Sequence, residues 1–384
     1  MEKKINFSFF LFFCALILFL KSLFSGIFNF EMGDLKSIFL TSKVLFSPFK
    51  NELCKIPVSF SEEFKNWLNF EGFKPDEIFD IPIVYHPFVN VLFYPLIFIP
   101  YKFVMFIFTF LYIFLLFKIF KKYNFNLNFV SFSLIYFPIR EIFLSGAFDL
   151  ISIFIITLLL SFKDEKFKGF FIAFGLILKP QFFFLLPLYY LIKKRFKVLI
   201  FASLFYFIFS IFPILIFGKN ILTLYIQNLL FYSKNIVLSC ENISLQSFLA
   251  KILSIAPFVS SHKLYLLSEK FIIFIRILSL FFLIITIYLW TKQKEEFKNI
   301  FFGIFTGFLI SPLFWLHYLA ITIILLPLIY EEDMIFKFLF ISGIFLTAIS
   351  PRPFFTDFIN SLYLFIGMIL IYLSIIYIMF KDKK

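Results

Sequence analysis

Residues 26–87 read GIFNFEMGDLKSIFLTSKVLFSPFKNELCKIPVSFSEEFKNWLNFEGFKPDEIFDIPIVYHP, the longest stretch of the chain that bilayer hydrocarbon could not hold. Its acids, Glu31, Asp34, Glu52, Glu62, Glu63, Glu71, Asp76, Glu77 and Asp80, outnumber Lys36, Lys43, Lys50, Lys55, Lys65 and Lys74, so it is acidic in a chain of net charge +13. Apolar blocks flank it on both sides. Over all 384 residues 62% are hydrophobic and 15% charged, whereas a soluble chain carries about a quarter charged residues. The surface therefore cannot face water, and the chain reads as an all-α, polytopic membrane bundle.

The distribution of basic residues sets the expected topology. Met1-Glu2-Lys3-Lys4 precedes an apolar run from Phe7 to Leu20 with no small-residue cleavage signature after it, which reads as a signal anchor with its N-terminus inside. The polar interval 26–87 then lies outside, and so does a second loop, 218–269. Lysines 118, 121 and 122, the clusters Lys163 to Lys168, Lys193 to Lys197 and Lys292 to Lys298, and the terminal Lys381-Asp382-Lys383-Lys384 fall inside. The block 87–120 makes one net crossing, either as a kinked helix or with a short re-entrant first part. The spans near 128–139, 149–162, 168–178 and 182–192 are shorter than the roughly 17 residues of a solitary spanning helix, so they should be broken or packed against one another. Residues 198–217, 271–290, 299–311, 318–330, 335–349 and 358–380 supply the remaining crossings. We expect about twelve spans, both termini cytoplasmic, and a single domain, since no internal repeat or linker divides residues 1–384.

Composition also excludes functions. Scattered basic residues between apolar blocks fit cytoplasmic loops and not nucleic-acid binding. The 71 Phe are lipid-facing filler and carry little functional information. Cys14, Cys54 and Cys240 have no metal-ligand or redox spacing, and the three histidines are far apart, so no metal and no cofactor is expected. Cys54 and Cys240 both fall in outside loops, where a disulfide or two free thiols are open to them. There is no phosphate-cradling glycine loop, and no polar segment approaches the on the order of 100 residues of a nucleotide-binding domain. An enzyme built this way takes its substrate from the bilayer.

The polar groups at the outer ends of the expected spans are Asp34, Tyr85, His86, Arg140, Asp149, Lys179, Asn242, Ser244, Trp315 and His317, with Gln181 beside Lys179. Ionisable residues at membrane depth mark sites, and Arg140 and Lys179 are the cations placed to meet a phosphate ester. Against this stands the plainer role of each residue alone: Arg140 and Lys179 snorkelling to headgroups, Asp149 capping a helix, and Asp34 capping an interface helix from Leu35 to Phe46.

The order Gly33-Asp34, Tyr85-His86-Pro87-Phe88, Arg140 through Gly146-Ala147-Phe148-Asp149, Gly175-Leu176-Ile177-Leu178-Lys179-Pro180-Gln181, Asn242-Ile243-Ser244-Leu245 and Ser311-Pro312-Leu313-Phe314-Trp315-Leu316-His317-Tyr318 resembles glycosyltransferase family 87. Those enzymes belong to the GT-C superfamily, use polyprenyl-phosphate sugars and are often mannosyltransferases. The resemblance implies a GT-C bundle in the cell membrane, Asp34 as the catalytic carboxylate, a polyprenyl-phosphate-sugar donor and a lipid or glycan acceptor. This chain departs from the family where it has Tyr85-His86-Pro87 for Tyr-Pro-Pro, Gly146-Ala147-Phe148-Asp149 for Gly-Gln-x-Asn, and Asn242-Ile243-Ser244 for Asn-Gln-Ser. The implied chemistry is a single, inverting displacement: Asp34 takes the acceptor's proton and Arg140 or Lys179 meets the leaving phosphate. The rival classes are a transporter or lipid-linked-sugar flippase, with its charges along a midplane path, and a non-catalytic subunit, with its charges scattered.

Overall fold

Helix breakers, more than hydropathy, divide the apolar blocks. The structure, a computed structural model, describes residues 2–28, 34–49, 61–70, 85–238, 242–253, 263–349 and 357–381. Gly33, most of the acids of the polar interval, and Cys54 and Cys240 lie outside these residues. Helix α1 (Glu2–Phe28) is followed by two helices from the polar interval, α2 (Asp34–Leu45) and α3 (Glu62–Phe70). After Tyr85, Pro87 opens α4 (Pro87–Phe93), where the missing N–H of proline costs nothing, and a 3₁₀ turn follows over Tyr94–Phe98. Pro100 ends this pair and α5 (Tyr101–Lys122) begins. The block 87–120 thus holds a short helix, a 3₁₀ turn and then one uninterrupted long helix.

Six short helices come next. In α6 (Leu127–Ile135) the Asn126 side chain accepts the Phe129 N–H at 3.1 Å, a cap for one of the orphan donors of the first turn. Pro138 sits in the first turn of α7 (Phe137–Ser145), and the pair α6 and α7 is bent by 56°. Gly146 ends α7 with a φ of 60°, the left-handed conformation that glycine takes without a Cβ penalty. The chain so reversed enters α8 (Asp149–Ser161). Helix α9 (Glu165–Leu178) stops at Lys179, because the residue before a proline is pushed out of the helical region; Lys179 has φ −148° and ψ 81°, and Pro180 starts α10 (Pro180–Phe183). Helix α11 (Leu186–Ile192) returns the chain to α12 (Phe196–Phe217).

The second loop holds the non-helical pairing of the described residues. Between α13 (Asn220–Lys234) and α15 (Glu269–Lys292), strand β1 (Asn235–Leu238) pairs antiparallel with β2 (Lys263–Leu266), from Asn235 opposite Leu266 to Leu238 opposite Lys263, around α14 (Leu245–Ile252). Then come α16 (Glu296–Ile310), a ten-residue 3₁₀ helix over Leu316–Leu325, α17 (Leu328–Glu331), α18 (Met334–Ala348) and α19 (Asp357–Lys381).

Helix α16 and the 3₁₀ helix are buried almost all round and form the centre of the bundle. The pairs α9 with α12, α18 with α19, and α1 with α6 and α7 pack around them. Helices α12 and α15 turn large apolar side chains outward, Phe207, Leu215, Ile277 and Ile284 among them. A helix apolar on both its inward and outward faces is one that lipid surrounds. Helices α5, α12, α15 and α19 are long and apolar enough to cross a membrane, and the bent pair α6–α7 makes a fifth if it is one span. At 1.5 Å per residue, the 22 residues of α12 cover about 33 Å against roughly 30 Å of hydrocarbon. Of the expected short spans, 149–162 and 168–178 correspond to α8 and α9, whereas 128–139 is divided into α6 and α7 and 182–192 falls on α10 and α11.

Candidate active site

Asp34 is the first residue of α2, where the helix dipole favours a carboxylate. The next residue, Leu35, donates its N–H to the Gly146 carbonyl at 3.3 Å, so the start of α2 is tied to the left-handed turn that introduces α8. That turn carries Asp149 toward Asp34. Lys179, freed from the helical line by Pro180, reaches in from the end of α9. Its Nζ donates to Asp34 Oδ2 at 2.6 Å and stands 3.8 Å from Asp149 Oδ1. On the far side of Asp149, His317 Nε2 is 3.3 Å from Oδ2. The rings of Tyr318 and Tyr85 flank the ammonium at 4.9 and 5.6 Å from their centroids, positions that stabilise a cation.

Exposure ranks these groups. The side chains of Asp149 and Lys179 are 0% and 4% exposed, and that of Asp34 is 26% exposed, so Asp34 is the carboxylate a substrate can touch. Burial pushes its carboxyl up, but the ammonium of Lys179, the His317 ring and hydrogen bonds from Lys179 and Tyr85 outweigh burial and hold it below the usual carboxylate range. Asp34 is therefore ionised at neutral pH. Asp34, Asp149 and His317 each offer a ligand atom within 4.8 Å of the others, close enough for a divalent ion. The Lys179 ammonium also lies within reach of both carboxylates.

The remaining residues singled out in the sequence take other places. Asn242 and Ser244 brace the loop before the 3₁₀ helix: Asn242 Oδ1 accepts from the N–H groups of Ser244 and Phe314, both at 3.2 Å, and Ser244 Oγ donates to the Pro312 carbonyl at 3.2 Å. Trp315 joins this brace through its backbone bridge to Asn242. These contacts hold residues 312–315, which lead into the 3₁₀ helix that carries His317. Gln181 is half-buried on α10, its Oε1 without a hydrogen-bond partner among the described residues. His86 turns away from Asp34: its Nδ1 caps α4 by accepting the Phe88 N–H at 3.2 Å, and its Nε2 faces Ser210 on α12 at 3.2 Å. Arg140 also turns away, its Nε donating to Ser22 on α1 at 2.7 Å. Two neighbours that sequence reasoning did not single out complete the site. Tyr318 was legible as the end of the Trp-Leu-His-Tyr run. Tyr112, within electrostatic reach of Asp34, Asp149 and Lys179, gave no signal inside its apolar block.

A second charged cluster lies at the opposite end of α9. Glu296 accepts from Lys168 at 2.5 Å, from the Tyr190 hydroxyl at 2.6 Å and from Arg195 at 3.3 Å, while Arg195 also pairs with Glu165 at 2.9 Å. The 14 residues of α9 put about 21 Å between this cluster and Lys179. The two ends of the bundle are thus chemically distinct.

A family model described as glycosyltransferase family 87 matches residues 84–312, well over half of the chain. The match takes in Tyr85, Arg140, Asp149, Lys179 and the Asn242–Ser244 brace, and it stops short of Asp34 and His317. Comparison with curated proteins and with solved structures finds no match.

Proposed function

The chain belongs to glycosyltransferase family 87, and from that premise we propose that it transfers a hexose, most simply mannose, from a polyprenyl-phosphate donor to a lipid- or glycan-linked acceptor. In this reading the bundle is of GT-C type, with about twelve crossings, both termini cytoplasmic and the site on the outer side of the cell membrane. The observation that carries it is the convergence of Asp34, Tyr85, Asp149, Lys179 and His317, from five separate segments, on one cluster in which Asp34 is the exposed member. The five residues gather at one end of α9, about 21 Å from the separate ion-pair cluster of Lys168 and Glu296 at its other end, and this favours an enzyme over a transporter, whose charges would line a continuous path between the ends.

The reaction is a single displacement. As the acceptor oxygen attacks the anomeric carbon, its proton passes to an Asp34 oxygen, the bond from that carbon to the phosphate oxygen breaks, and polyprenyl phosphate leaves as the anion. Configuration inverts. General-base help of this kind contributes about 10²–10⁴-fold. Lys179, rather than Arg140 with its bond to Ser22, is the cation for the leaving phosphate. Asn has the size and hydrogen-bonding reach of Asp and caps a helix about as well, but takes no proton at neutral pH. Asp34→Asn should therefore leave the protein inserted and able to bind donor, with transfer from a radiolabelled polyprenyl-phosphate sugar down by at least about 10²-fold. Near-normal transfer would move the base elsewhere, with Asp149 the next carboxylate.

A further inference from the structure

The base and the phosphate cation of this site are bonded to each other. A carboxylate whose Oδ2 is held by an ammonium at 2.6 Å is a poor proton acceptor. The donor lipid brings a further anion to a cluster where two carboxylates already share one ammonium. Arg140 turns its Nε to Ser22 on α1 and Lys168 pairs with Glu296 about 21 Å away, so Lys179 is the cation that stands inside the cluster and is the one placed to meet the phosphate.

The surroundings of Lys179 give it somewhere to move. Its Nζ is 3.8 Å from Asp149 Oδ1, one ångström beyond a good charge-assisted hydrogen bond. Both oxygens of Asp149 are buried and lack a hydrogen-bond partner. The Tyr318 ring lies beside that path at 4.9 Å. Lysine carries its charge on a flexible four-carbon stem, so a short swing keeps the ammonium compensated throughout. The titratable groups facing it are Asp34 on α2, Tyr85 before α4, Tyr112 on α5, Asp149 on α8, and His317 and Tyr318 on the 3₁₀ helix.

We propose that Lys179 is a movable counter-ion: the phosphate of the seated donor draws it from Asp34 toward Asp149, so that Asp34 becomes a competent base only when the donor is in place. This rests on the glycosyl-transfer reading and adds an order to it, donor before acceptor. It also gives Asp149 a positioning role, as the anchor that holds Lys179 once Asp34 has let go.

The test is a distance measurement in liposomes that needs no turnover. Protein carrying ¹³C at aspartate Cγ and ¹⁵N at lysine Nζ is studied by rotational-echo solid-state NMR, with the Asp34 signal identified by its loss in Asp34→Asn. Polyprenyl phosphate is the probe, and its binding is followed separately with radiolabelled lipid. Without lipid, the Asp34 Cγ signal should be strongly dephased by lysine nitrogen. With lipid bound, most of that dephasing should vanish, and the ³¹P signal should become dephased by a lysine nitrogen that Lys179→Met removes. Asp34 dephasing that persists with lipid bound overturns the proposal, and so does a phosphate that meets a lysine other than Lys179. An Asp34→Asn protein that still transfers sugar would instead defeat the functional reading, a result this measurement does not touch.

Discussion

The Lys179–Asp149 pair is the sharpest quantitative test of how the site is held. Lys179→Met replaces an ammonium by an apolar group of similar length, and it takes the lysine charge from Asp149, whose carboxylate is wholly buried and keeps only the His317 ring at 3.3 Å beside it. Removing one member of a buried ion pair costs about 3–5 kcal/mol, because the other charge is left uncompensated. Asp34 adds little to this cost, since its 26% exposed carboxylate can be solvated. The loss should appear as a lower thermal midpoint than that of the parent protein. Taking the second charge away as well should restore much of it: Lys179→Met with Asp149→Asn should be at least about 2 kcal/mol more stable than the sum of the single changes. The assay is intrinsic fluorescence on heating, in detergent micelles and at a fixed scan rate, because membrane proteins unfold irreversibly. A single variant with the parental midpoint, or a double variant no more stable than Lys179→Met alone, refutes the buried pair.

Other predictions concern the scaffold. A Cβ on Gly175 would stand 2.4–2.5 Å from the buried Phe183 ring, so Gly175→Ala should cost about 1–3 kcal/mol and, by shifting the end of α9, lower transfer more than donor binding; heating curves and initial rates check both. Asn242→Ala leaves the buried Phe314 N–H without its acceptor; a loss of about 1–3 kcal/mol is expected, with transfer reduced through His317, and parental stability and rate would show the brace to be idle. For topology, cysteines introduced at Asn66 on α3 and at Lys197 on α12, in a protein lacking its three native cysteines, should differ: an impermeant thiol reagent added outside cells should label the first and spare the second. Equal labelling would refute the assigned sides.

How much of this was legible in the sequence depends on the range of the interaction. Helix ends follow from local rules, so the apex read at Lys179-Pro180-Gln181 is a break between α9 and α10, whereas the bend between α6 and α7 falls inside the single span expected over 128–139, beside Pro138. Hydropathy gave the long helices for the same reason. The site residues were half legible. Asp34, Asp149, Lys179 and His317 stood out as ionisable groups at the edges of apolar blocks, where their desolvation must be offset by something. What offsets it is contact between residues 34, 149, 179 and 317, which no local pattern encodes. Only the tertiary structure could decide that Lys179 pairs with Asp34, and that His86 caps its own helix and Arg140 bonds to Ser22 instead of joining them. Periodicity also could not separate the 3₁₀ helix of Leu316–Leu325 from an α-helical span, because an apolar segment buried on every side has no polar face to reveal its period. The chain's own apolar composition marked it as a membrane protein; packing decided which charges meet.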